Sequence, residues 1–173
     1  MRELSRDAFV DLLTGIRSSW AHFEQRDSYG APDDLAEIRR WRRGAPTDPS
    51  YYADYAAMLA RLAGRGRSLR RLKVVSEPLS EYHRWIRSMI APIIEAGEAT
   101  RWLPRRAVLG HRLPATDYYL LDGSSVVLLD FDGDGRLLSR LLTTEPGVVR
   151  ACAAAFEECW VLGAGLTGAA VAG

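Results

Sequence analysis

The run Asp130-Phe131-Asp132-Gly133-Asp134-Gly135 sets carboxylates at alternate positions before a glycine, as the opening of a calcium-binding loop does. Such a loop needs a bidentate glutamate at its twelfth position. Counted from Asp130 that position is Leu141, and the flanking residues read as strands rather than helices. Aspartate and glycine tolerate positive φ, and aspartate can bond its own backbone, so the segment reads as a turn. The three histidines, His22, His83 and His111, stand far from one another and from both cysteines, without zinc-site spacing. His22 falls on a strand, His83 on the polar side of a helix, and His111 in a loop, where it alone is free to reach a cleft. Neither a metal nor a cofactor is expected. Gly64-Arg65-Gly66-Arg67-Ser68 lacks the lysine of a phosphate-cradling loop, and Ser124-Ser125 lacks the glycines of a nucleophile elbow.

Arginine offers more. Arg70-Arg71-Leu72-Lys73, Arg101-Trp102-Leu103-Pro104-Arg105-Arg106 and Phe23-Glu24-Gln25-Arg26 set cations beside aromatic residues on segments of strand character. With these strands adjacent, Arg26, Arg71, Lys73, Arg101 and Arg105 would line one sheet edge. Such an edge grips phosphate or an acidic peptide, with aromatics free to stack on a base. Against this stands internal pairing, with the arginine stems packed on the sheet and their heads on Glu24, Asp27 or Glu77. Glu24, Glu77 and Asp117 are the carboxylates that could serve such a cleft, as binding partners or as a general base.

The elements that must position these residues are legible from periodicity. Residues 4–17 carry Leu4, Phe9, Leu12, Leu13 and Ile16 near helical spacing, and residues 20–30 alternate as a strand that stops at Gly30-Ala31-Pro32. Asp33 or Asp34 can cap a helix ended by Gly44, and Ser50 a second one running to Gly64. Residues 68–76 read as a strand. Ser80 caps a long helix striped by Tyr82, Trp85, Ile86, Met89, Ile90, Ile93 and Ile94, which Pro92 must kink. Residues 100–105 form a further strand. Three strand-like runs joined by Asp-Gly turns follow, with Val126-Val127-Leu128-Leu129 apolar at consecutive positions, as befits the central strand of a meander. Thr144, Glu145 and Pro146 open a last helix.

The expected fold is a single α+β domain over residues 1–162, with a mixed sheet, a βαβ unit, a C-terminal three-stranded meander and helices packed on the sheet. Residues 163–173, small and weakly patterned, are expected to form a flexible tail. At 173 residues one core suffices. No apolar run approaches a membrane span, the first residues lack a signal-peptide core, and Cys152 and Cys159 read as reduced, buried thiols, so the reading is cytoplasmic. Net charge is +1 but uneven: residues 51–106 carry 11 basic and 5 acidic side chains, residues 107–173 carry 4 and 8. A basic face toward an acidic partner and internal complementarity both fit that asymmetry.

The phrases SEPLSEYHRW, RWLPRR and FDGDG, in this order and across residues 5–162, resemble an actinobacterial family known as domain of unknown function 6879. Its members commonly neighbour helix-turn-helix regulators and small companion proteins. The resemblance implies a regulatory or accessory role with such a regulator or companion as partner, and the lack of a complete catalytic constellation beside the uneven charge makes the expected protein a non-enzymatic regulatory or interaction one. It leaves a homodimer open and carries over no catalytic residue. Parts of the pattern are also similar to a phospholipase D half-domain. That type needs a histidine two residues before its lysine, where this chain has Arg71 before Lys73. The alternative is an enzyme or sensor that handles a phosphorylated or nucleotide-like molecule through the arginine-rich cleft. Direct nucleic-acid binding fits poorly with a net charge near zero.

Overall fold

The computed structural model describes residues 1–46 and 48–165. Seven strands form one mixed sheet, β1 (Arg2–Glu3), β2 (Ser19–Glu24), β3 (Ser68–Val75), β4 (Glu98–Pro104), β5 (Tyr118–Leu121), β6 (Ser125–Phe131) and β7 (Leu137–Thr143), in the order β1-β7-β6-β5-β2-β3-β4. β2, β3 and β4 run parallel. β5 pairs antiparallel with β2, and β5, β6 and β7 form the expected meander, with β1 antiparallel on its edge.

Five helices cover one face: α1 (Arg6–Thr14), α2 (Pro32–Arg42), α3 (Ala53–Gly64), α4 (Glu81–Met89) and α5 (Ala91–Glu95). The other face is covered by α6 (Pro146–Leu162) and the short turn Arg105–Val108. Val126 and Val127 in β6 are both fully buried, one toward each layer. The parallel crossover from β3 to β4 passes through α4 and α5, which Pro92 separates at Ile90 because it cannot donate the helical bond. Ser80 caps α4 by accepting from His83 N (3.1 Å).

Several boundaries differ from the sequence expectation. α2 starts a residue before Asp33, with Pro32 in its first turn, where a missing N–H costs nothing, and with no side chain as cap. Ser50 is not a cap: Asp48 accepts from Ser50 N (2.8 Å) and a 3-10 turn, Pro49–Tyr52, leads into α3. β1, of two residues, is too short to show a periodicity in the sequence. Past α6, Ala164 pairs antiparallel with Trp102 through two backbone bonds of 2.8 and 3.0 Å, so the chain there extends the β4 edge. Residues 166–173 of the expected tail lie outside the described residues.

The first meander turn follows its sequence closely. Asp122 (φ 50°) and Gly123 (φ 66°) take the paired positive φ of a two-residue hairpin. The Asp122 carboxylate also accepts from the backbone of Arg17, Ser18 and Ser19. These bonds outweigh the effect of burial and hold its pKa down to about 2. In the second turn Asp132 Oδ1 accepts from Asp134 N (2.9 Å) and Arg136 N (2.8 Å), which spends that oxygen on the backbone of its own loop.

Candidate functional site

β2 ends at Glu24, and the chain then wraps across the carboxyl ends of the parallel strands as the loop 25–31. Asp117 ties this loop to the start of β5: it accepts from Gln25 N (2.9 Å) and, through Oδ2, from the Tyr29 hydroxyl. Asp27 ties it to the end of β3, accepting from Ser76 N (2.8 Å) and Ser76 Oγ (2.6 Å). At its far end Gly30 N donates to Gly135 O (2.9 Å), docking the loop on the second meander turn. Both glycines are required by closeness, since a Cβ at Gly30 would stand 2.7 Å from Asp134 O, and Gly135 sits at φ 80°.

Between this loop, the first turn of α2, the side of α4 and the β6–β7 hairpin lies a cavity of about 550 Å³. His22, Glu24 and Asp117 reach it from the sheet, and Tyr29, Tyr82, Phe131, Leu129 and Leu137 give it aromatic and apolar walls. Asp34 stands on the α2 side, its carboxylate engaged by Tyr51 and Tyr82. Arg136 and Arg140 stand on the β7 side. The volume suits a small organic molecule, and the position, outside the carboxyl ends of parallel strands, is where open α/β sheets bind ligands.

The cavity floor belongs to a charged row on the sheet face covered by α1–α5. In register, Glu24 lies opposite Lys73 and His22 opposite Arg71. The Glu24 carboxylate accepts from Lys73 Nζ through one oxygen and from Arg71 Nη1 through the other. Arg71 Nε donates to Glu98 Oε1 (2.6 Å), and its Nη2 donates to the Tyr55 hydroxyl (2.6 Å), which donates to Glu98 Oε2 (3.1 Å). Every one of these groups is buried or nearly so. Burial alone would raise the Glu24 carboxyl, but Lys73 and Arg71 outweigh it and hold the pKa far below the usual carboxylate range. Glu24 is therefore ionised.

His22 differs. Burial, and then the Arg71 charge, push its pKa well below the ordinary value, so the ring is neutral at physiological pH. It stacks on Tyr119 (ring centroids 3.7 Å apart), and its Nδ1 lies 3.4 Å from Glu24 Oε1 without forming a hydrogen bond. Asp117 is fully buried; burial lifts its pKa to about 6, opposed by the Tyr29 bond. His83, expected on the polar side of its helix, is instead fully buried against Trp102 and 3.8 Å from Asp27. Burial and then Lys73 lower its pKa to about 4. A helix set between neighbours buries more than one stripe. His111, the histidine expected to reach a cleft, instead lies 3.6 Å from exposed Glu158 and does not line the cavity.

The single arginine edge is not formed. Strand alternation sends Arg71 and Lys73 to the face covered by α1–α5 and Arg101 to the α6 face, where it donates to Trp160 O (2.6 Å) and lies 4.4 Å from the Trp160 ring. Arg105 braces the strand ends, donating to Gln25 O (2.6 Å) and Val74 O (3.2 Å). Arg26 packs over Phe131 (5.0 Å), outside the cavity lining. Glu77 pairs with Arg106 (3.1 Å) away from the cavity. Of the seven residues singled out, Arg71, Lys73 and Asp117 converge with Glu24 at or behind the cavity floor, and Arg26 and Arg105 hold the loop that roofs it. Sequence reasoning missed His22, Tyr29, Arg136 and Arg140 as cavity residues. His22 alternates with Glu24 on β2, which already placed both on one face.

Fold and site together define a one-domain α+β protein with a cavity of about 550 Å³ at the carboxyl ends of its parallel strands. The chain belongs to the family described as Domain of unknown function (DUF6879), which it matches over residues 7–167. No curated protein matches it in sequence. Among solved structures it is similar in fold to NucT from Helicobacter pylori, with a TM-score of 0.51 at 11% identity over 95% of this chain and 96% of that one. Among the described residues no helix is long and apolar enough to cross a membrane.

Proposed function

We propose that this chain is a regulatory module of the cytoplasm that binds a small molecule in the cavity beside His22 and presents the occupied state to a protein partner. One observation carries the reading: a cavity of about 550 Å³ with aromatic walls, lined by a buried, neutral histidine whose Nδ1 has no hydrogen-bond partner among the described residues. A polar group buried without a partner is costly, and a bound molecule would satisfy it. The cavity walls, moreover, are four separate segments held together by Asp117, Asp27 and Gly30, so occupancy can be felt at the surface. A helix-turn-helix regulator or small companion protein is the partner that the family resemblance suggests. The test is native mass spectrometry of the full chain after incubation with a metabolite extract. A bound species is expected, and Leu137→Trp, which places an indole in the cavity, should lose it. Failure to retain any molecule, or equal retention by the folded variant, overturns the reading.

A second reading is catalytic. His22 is neutral and its Nδ1 faces ionised Glu24 at 3.4 Å, the relation of a general base to the group that orients it. Phospholipase D-type chemistry would instead place its histidine at position 71, where Arg71 is held by Glu24 and Glu98. A turnover assay on phosphate mono- and diesters separates the two. Activity abolished in His22→Gln with binding retained would favour the enzyme.

A further inference from the structure

We propose that the cavity takes a phosphate monoester of a planar heterocycle, a nucleoside monophosphate in chemical class, with Arg140 and Arg136 gripping the phosphate. This rests on the reading of the cavity as a small-molecule site and names what it binds.

The cavity is electrically two-ended. Its three carboxylates are already engaged: Glu24 by Lys73 and Arg71, Asp117 by Gln25 N and Tyr29, and Asp34 by Tyr51 and Tyr82. The cations on the β7 side are not. Arg140 lies opposite Leu129 in register and is half-buried, with its Nε enclosed and without a hydrogen-bond partner. No carboxylate pairs with it among the described residues; its neighbour is the Phe9 ring, 5.4 Å away. Arg136 has a 3.9 Å contact to Asp134, and both side chains are largely exposed, so water screens that pair. The unmet demand of the site is therefore for negative charge. Two guanidiniums without a firm partner match a phosphate monoester, which carries about −1.5 to −2 near neutral pH, better than a carboxylate.

The rest of the cavity suits a ring. Tyr29 packs edge-on to Phe131 (5.6 Å) and beside Tyr82 (5.3 Å), so the wall is aromatic and braced from behind. Aromatic side chains accept nucleobases on their faces. His22 lies at the floor with its Nδ1 unpartnered, and a ring nitrogen of a neutral imidazole can donate to or accept from the edge of a heterocycle. Asp34 and the Glu24 floor repel an anion, which orients the phosphate toward β7.

Calorimetric titration of the full chain tests this with adenosine monophosphate, guanosine monophosphate, adenosine, inorganic phosphate and indole-3-acetate. At least one nucleotide is expected to bind tenfold or more tightly than adenosine or phosphate, and more weakly as salt rises. Arg140→Gln should weaken that binding tenfold or more, and Arg140→Lys should recover part of it. Should Arg140→Gln fail to fold, the exposed Arg136→Gln takes its place, with a loss of several-fold expected. Adenosine or indole-3-acetate binding as tightly as the nucleotide would overturn the phosphate assignment, and so would unchanged affinity in the folded arginine variants. If none of these probes binds while the cavity retains another molecule from an extract, the ligand class is wrong and the cavity reading survives. If nothing binds at all, both fall.

Discussion

On the α6 side of the sheet, Phe23, Leu72, Val74, Leu103 and Tyr118 meet Val149, Cys152, Phe156 and Cys159 in a layer whose single buried polar tie among the described residues is the Tyr118 hydroxyl donating to Cys152 O (2.7 Å). One residue along, on the other side of the same strands, stand His22, Glu24, Arg71, Lys73, Glu98 and Tyr119. The strands are shared, so the difference lies in what covers them. A single long helix with small and apolar residues seals one face. Five shorter helices, broken by turns and by Pro92, cover the other and leave the gap beside Tyr29 and Tyr82. A buried ion network is a costly way to fill an interior, and one of like volume but apolar is often as stable. Among the described residues it stands on the face that also holds the cavity.

The comparison can be broken first by removing one member from each face. Glu24→Ala leaves Lys73 and Arg71 short of a counter-charge and should cost about 3–5 kcal/mol. Phe156→Ala should cost about 3–5 kcal/mol as a cavity. Thermal or urea unfolding against pH distinguishes them. Burial pulls the Lys73 pKa down and Glu24 opposes this, so without Glu24 it falls further below the unfolded value. A base so depressed restores stability as pH rises, and the Glu24 loss should shrink above neutral pH while the Phe156 loss stays constant.

A smaller effect sharpens the electrostatics. Asp117 has its folded pKa raised to about 6, so it contributes stability at low pH that is lost as pH rises from about 4 through 6. His83, lowered to about 4, and His22, also lowered, act oppositely: the unfolded chain binds the extra protons, and stability rises with pH through about 6.5. These slopes partly cancel. Asp117→Asn removes one side, and the fall in stability on acidification from pH 6.5 to 4 should steepen by about 1.4 kcal/mol per pH unit at most. An unchanged slope would mean that Asp117 is ionised in the folded chain.

The smallest test compares two tyrosine hydroxyls. Tyr29→Phe removes a bond to a buried carboxyl and should cost about 1.5–3 kcal/mol at pH 8, where Asp117 is charged. Tyr118→Phe removes one to a neutral carbonyl and should cost about 0.5–1.5 kcal/mol, independent of pH. Equal costs at pH 8 would erase the distinction between the two faces.

The sequence by itself determined most of the elements, because their signals are local, though not the two-residue β1 or the 3-10 turn before α3. The meander follows from apolar runs punctuated by Asp-Gly, the cap of α4 from Ser80, its interruption from Pro92, and the turn at Asp132 from a twelfth position that is Leu141 rather than glutamate. It also placed Arg71, Lys73 and Asp117 among the residues of interest. Only the tertiary structure decided which of these meet. Period-2 alternation states that Arg71 and Lys73 share a face and that His22 and Glu24 share one, but strand order and register, set by contacts distant in the chain, made the two faces one and turned Arg101 to the other. The cavity is further still from the sequence. It is a gap left between the loop 25–31, α2, α4 and the β6–β7 hairpin, and no local pattern encodes a space that four separate segments fail to fill.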